Sequence, residues 1–161
     1  MNLTPLSSLR VSKHQIPAHH RIPNTSIQHR PLLHYHAAFS FPAALETTNN
    51  ATEIEAHLAA VGVVEPQWRY TMYRTTHFHS TTHELLCIAH GGARLCFGGE
   101  DNPGREEGDE GFEMVGSYPK GCSWDMCYGK EGEEAKVEGI QRLAWFEKDP
   151  VYGAQGPALD V

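Results

Sequence analysis

No aspartate or glutamate precedes Glu46, and no histidine follows His90. The first absence leaves Arg10, Lys13, Arg21 and Arg30 uncompensated, so the N-terminal stretch is basic. All 20 acidic residues fall in the remainder, and the formal net charge is −7. Such an acidic body has no dense Lys/Arg face to neutralise phosphates, which argues against a nucleic-acid partner. Apolar runs are short and none approaches the roughly 20 residues of a membrane span, so no membrane role is expected. Cysteine is scarce: Cys87, Cys96, Cys122 and Cys127 come without a secretory signal peptide. Reduced thiols and a cytoplasmic location are the expectation. The N-x-Ser/Thr triplets at Asn2, Asn24 and Asn50 are then chance matches. The acid-free N-terminus also admits the reading of a weak organelle-targeting segment, against which stand its Pro- and His-rich composition and its few arginines. Nothing in the chain resembles a phosphate loop or a nucleophile elbow.

What is present is a chain of 161 residues, a natural size for one domain. Its 15 glycines and ten prolines indicate many turns and short elements. Residues 1–15 read as a disordered extension, and 16–161 as a single domain. Pro17, Pro23 and Pro31 keep the following stretch extended or irregular. Leu32 to Phe41 reads as a first strand. Ile54, Leu58 and Val61 recur at helical spacing behind Glu53 and Glu55, so Ala51 to Val61 is the one helix expected, with Gly62 ending it. Strands are expected over Trp68 to Thr75, Glu84 to Ala89, Ala93 to Phe97 and Phe112 to Tyr118. Asp101 to Gly111 reads as a solvated loop, and Lys130 to Lys136 as an exposed turn or short helix. Val137 to Phe146 reads as a final short strand or helix. Short strands separated by Gly-rich turns indicate an all-β sandwich or barrel.

The chemistry concentrates between Trp68 and Glu100. His77 and His79 are two residues apart, so on an extended chain both imidazoles leave the same face. Glu84 opens the next strand and can approach from the neighbouring position. Two His and one carboxylate suit a divalent Fe, Mn, Ni, Cu or Zn ion and leave positions open for substrate or water. A His-rich polar surface turn is the competing reading. His34 and His36 repeat the His-x-His spacing without a carboxylate and read as edge-strand residues. His83 should point away from Glu84. Cys122 and Cys127 read as buried thiols rather than a zinc pair, and Cys87 and Cys96 as small core residues. Trp124 and Asp125 either line a pocket or pack and cap a turn.

These residues resemble the first motif of the cupin superfamily, Gly-x5-His-x-His-x3–4-Glu-x6-Gly. His77, His79, Glu84 and Gly91 match it, while Thr71 stands at the leading Gly position. More closely, the chain resembles the YjlB-like single-domain cupins through IPNTS, PQWRYTMYRTTHFHSTTHELL, CFGGEDNPGR, FEMVGSYPKGCSWDMC and WFEKDPVYG. The resemblance implies an all-β, cupin-type jelly-roll β-barrel with one short N-terminal helix. It implies metal binding by His77, His79 and Glu84, a small-molecule ligand or substrate, and homodimerisation. Cupins include dioxygenases, decarboxylases and isomerases, so the reaction type does not follow. A second cupin motif, roughly Gly-x5-Pro-x-Gly-x2-His-x3-Asn, should supply a further ligand. Only Glu106 to Gly111 stands where it belongs, so the barrel is expected to be incomplete. Three readings follow: a metal-dependent cupin enzyme, a non-catalytic ligand-binding cupin, or a metal-deficient splice or gene-model variant. Glu113 and Asp125 are the substitute carboxylates within the chain.

Overall fold

The computed structural model describes residues 1–18, 30–41, 50–70, 75–93, 95–97 and 112–161. Helix α1 spans Asn50–Val61, as the apolar periodicity predicts. Gly62 follows in the left-handed region at φ +73°, and its amide donates to the Leu58 carbonyl at 3.0 Å. Glycine closes a helix in this way because it carries no Cβ to clash.

Strands β5 (Val64–Tyr70), β6 (Leu85–His90) and β7 (Glu113–Pro119) form an antiparallel sheet with β7 in the middle. Helix α1 covers one face. Its Ile54 and Leu58 are fully buried in a core with Val64, Cys87, Ala89 and Val115. Burying such an aliphatic side chain stabilises by about 1.5–3 kcal/mol. Because strand side chains alternate, Met114, Gly116 and Tyr118 of β7 face away from α1.

Strand β5 is irregular in a way that matters. The pairing of β5 with β7 shifts register between Pro66 and Trp68, leaving Gln67 as the extra residue of a bulge. Pro66, which has no amide to donate, is tolerated at such a break. Without the bulge, Trp68 would share the α1 side with Val64 and Pro66. With it, Trp68 lies opposite Gly116 on the far face, and Arg69 turns back toward α1 to meet Glu55 at 2.6 Å.

The N-terminal segment corrects the expectation of disorder over residues 1–15. Strand β1 (Asn2–Leu3) pairs with β4 (Phe39–Ser40), and β2 (Arg10–His14) pairs with β3 (Leu32–His36), both antiparallel. Met1, Leu3 and Leu9 pack against the core, and the Met1 amino group pairs with Glu53. The Tyr152 hydroxyl donates to the Thr4 carbonyl at 2.8 Å. A weakly patterned segment is held here because its backbone donors and acceptors find distant partners. The run expected as one strand over Leu32 to Phe41 is split by Ala37, which sits at φ +51° between β3 and β4.

Two further differences concern short elements. A second helix, α2, spans Glu134–Ile140, within the stretches left open between turn, strand and helix. Ala93 and residues 95–97 carry no strand, and Cys96 is exposed rather than a core residue. The chain leaves β6 through Gly91 at φ +68°, which turns it off the sheet. The Asp101 to Gly111 loop and the end of the Trp68 to Thr75 strand, residues 71–74, lie outside the described residues. Among the described residues the architecture is therefore strand-rich and antiparallel with two helices, without a closed barrel. No helix in them is long and apolar enough to cross a membrane.

Candidate metal centre

The segment His77–Phe78–His79 is fixed by an isolated bridge. Phe78 and Cys127 exchange both backbone hydrogen bonds, at 2.8 and 2.9 Å, and both side chains are buried. With Phe78 turned inward, His77 and His79 emerge together, their ring centroids 5.3 Å apart in an edge-to-face arrangement. Each ring donates from Nδ1 to a backbone carbonyl, His77 to Thr75 at 2.9 Å and His79 to Asp125. In the neutral imidazole this makes Nε2 the lone-pair atom of both rings, which is the tautomer a metal ligand requires.

His79 Nε2 then meets Glu84, whose Oε1 lies 3.6 Å away. Glu84 stands just before β6, and the antiparallel pairing of β6 with β7 carries it to Tyr118. The Tyr118 hydroxyl donates to Glu84 Oε1 at 2.7 Å and lies 3.3 Å from His79 Nε2. It accepts a hydrogen bond from Trp68 Nε1 at 2.9 Å. Burial, followed by the bond to Glu84, pushes the Tyr118 phenol well above its ordinary pKa. Burial opposes a charge on His79, but Glu84 and the Asp125 carbonyl outweigh it and raise the imidazole pKa.

Asp125 supports this arrangement from the opposite side. Its carboxylate accepts the Ser80 amide and hydroxyl, both at 2.7 Å, the Cys127 thiol at 3.2 Å, and pairs with Lys136 at 3.4 Å. Its burial works against ionisation, but these donors hold it far below the usual carboxylate range. Trp124 stacks on Tyr118 with centroids 5.5 Å apart and meets His79 edge-on at 5.5 Å. Its indole donates to Gln67 Oε1 at 2.8 Å, so the bulge residue of β5 also serves this wall. Trp124 is thus a wall of the site, and Asp125 a brace for the His79 segment.

The structure brings His79 and Glu84 together and leaves His77 beside the pair. Among the described residues no group of three His, Cys, Asp or Glu side chains is arranged around one point. Neither proposed substitute carboxylate enters. Asp125 is committed to Ser80, Cys127 and Lys136, and Glu113 shares the α1-side parity of Val115. His36 is held between Arg10 and Ser12, each at 2.7 Å, with His34 packed on it at 3.9 Å between centroids. His83 packs edge-on against Trp145 at 4.9 Å. All four cysteines are free thiols; Cys87 and Cys127 are buried, whereas Cys122 is exposed, contrary to expectation. Sequence reasoning missed Tyr118 and Trp68; the two-residue period of the β7 stretch puts Tyr118 on one face with Met114 and Gly116, but which face meets the helix is decided only by the packing of Val115.

No family model matches this chain, and no solved structure matches it. It is similar to a protein of Bacillus subtilis (strain 168) described as "Uncharacterized protein YjlB", with 30% identity over 113 residues, covering 58% of this chain and 68% of that protein. The 113 aligned positions exceed what 58% of a 161-residue chain supplies. The relative therefore carries residues inside the matched span for which this chain has no counterpart.

Proposed function

The chain belongs to the YjlB family, and from that premise we propose a cupin-type protein that binds a divalent metal and a small oxygen-bearing molecule at one site. In this reading the β5–β7–β6 sheet is one wall of a jelly roll, shortened where the relative's extra residues fall. His79 and Glu84 hold the metal, with His77 as the neighbouring imidazole. What supports such an ion is one imidazole nitrogen beside a carboxylate, His79 Nε2 at 3.6 Å from Glu84 Oε1, with the rings of His79 and neighbouring His77 each donating Nδ1 to a backbone carbonyl. Fe, Mn, Ni, Cu and Zn all accept this donor set. A bound ion would supply Lewis acidity toward a carbonyl or hydroxyl oxygen. The exposed ring of Trp124, stacked on the buried Tyr118, provides a flat apolar surface against which a small ligand can lie.

The observation that carries the reading is the approach of His79 Nε2 to Glu84 Oε1 within 3.6 Å while Nδ1 is held by Asp125. The test is metal content after purification in the presence of each divalent ion. His79→Ala and Glu84→Ala are expected to lose the metal, and His77→Ala to bind it more weakly. Unchanged metal content in all three variants, or a wild-type chain that takes up no metal, would sink the proposal. Turnover of a small-molecule substrate by the loaded chain separates an enzyme from a binding protein.

A further inference from the structure

We propose that Tyr118 is a protein ligand of this centre, its phenol oxygen closing a three-atom donor face with His79 Nε2 and Glu84 Oε1. The inference rests on the metal reading above and names a ligand which that reading does not contain. The three atoms form a triangle with sides of 2.7, 3.3 and 3.6 Å. Ligands about 2.1 Å from a shared ion stand roughly 3.0 Å apart at right angles and 3.4 Å apart at tetrahedral angles. The triangle brackets both values, so the donors need move only by tenths of an ångström to share one ion.

The hydrogen-bond inventory points the same way. With His79 neutral and its proton on Nδ1, Nε2 offers only a lone pair. Glu84 Oε1 is an acceptor as well. The Tyr118 oxygen has one hydrogen, given to Glu84, and already receives the Trp68 indole. Three lone-pair atoms thus converge with a single phenol hydrogen among them, an arrangement completed by positive charge at His79 Nε2, supplied either by a proton or by a metal ion in its place. On ligation the O–H bond of Tyr118 breaks and its proton leaves to solvent, while Trp68 continues to donate to the oxygen. A hydrogen-bond donor held on a ligating oxygen is the usual outer support of a metal ligand. The C-terminal part of the chain has no histidine after His90, and β7 delivers an oxygen donor instead.

The test uses the full chain, loaded with Fe(II) without oxygen and then oxidised in air, and reads iron content together with visible absorption. The expected result is bound Fe(III) with a phenolate-to-iron charge-transfer band. Tyr118→Phe should abolish the band while iron held by His79 and Glu84 is retained or weakened. Trp68→Phe should keep the band and move it to longer wavelength, because the phenolate loses its hydrogen bond; this variant also reads the site if Tyr118→Phe does not fold. Bound iron without the band, or a band that survives in folded Tyr118→Phe, overturns the Tyr118 assignment and leaves the His79–Glu84 centre standing. A wild-type chain that binds no iron or other divalent metal overturns both.

Discussion

Gly116 lies directly beneath the indole of Trp68, where a Cβ would fall 2.0 Å from Cε2 and Cζ2 of the ring. The two residues face one another across the β5–β7 pairing, just past the bulge at Gln67. The missing side chain is what lets Trp68 lie flat over β7 and reach the Tyr118 hydroxyl at 2.9 Å. Three features separated in sequence, a proline bulge, a glycine and a tyrosine, thus combine to aim one indole at the centre.

Gly116→Ala should therefore displace Trp68 and loosen the site. Overpacking of this kind costs about 1–3 kcal/mol. Gly92, which has nothing within 4 Å of the equivalent position, provides the comparison: Gly92→Ala should be close to neutral. Urea unfolding followed by tryptophan fluorescence reads both effects. Equal midpoints for the two variants would show that Trp68 does not depend on the space at 116.

Asp149 anchors the C-terminal tail. It is fully buried; Oδ1 accepts the amides of Val151 and Tyr152 at 2.9 Å, and Oδ2 accepts the Ala158 amide at 3.0 Å and the Tyr35 hydroxyl at 2.7 Å. Truncating it leaves those donors buried without an acceptor, so Asp149→Ala should cost about 3–5 kcal/mol. Tyr35→Phe removes one neutral donor and should cost about 1 kcal/mol. Chemical denaturation of the two variants measures the difference. A smaller loss for Asp149→Ala than for Tyr35→Phe would contradict the role of Asp149 as the common acceptor.

His83 should make stability depend on pH. Burial, the largest influence, lowers its pKa below the ordinary value of a histidine. Its Nε2 is buried without a hydrogen-bond partner beside Trp145. Between the folded pKa and the unfolded value of about 6.5, the unfolded chain binds the extra proton, so stability falls as pH falls through that window. Above about pH 6.5 the group contributes no such penalty. Thermal midpoints at pH 7.5 and pH 5.5 should differ more in the wild type than in His83→Phe. An identical pH dependence in both would assign the effect to other groups.

Much of the local structure was legible in the residues. Ile54 and Leu58 at helical spacing specified α1, and Gly62 specified its end. The His-x-His spacing specified that His77 and His79 share a face. These are properties of a few consecutive residues, where the 3.6- and 2-residue periods leave little choice. The N-terminal strands were not legible, because β2 has weak patterning of its own and is held by pairing with β3.

The sequence by itself thus determined a helix, its stop, and two imidazoles on one side of an extended segment with a carboxylate nearby. Only the tertiary structure decided which groups join them. The β5 bulge reverses the face of Trp68, the β6–β7 pairing brings Tyr118 to Glu84, and the Phe78–Cys127 bridge sets His79 against Asp125. Each of these depends on contacts between residues dozens of positions apart. Long-range pairing is fixed by the packing and hydrogen bonding of the whole sheet, and no spacing within a short window encodes it.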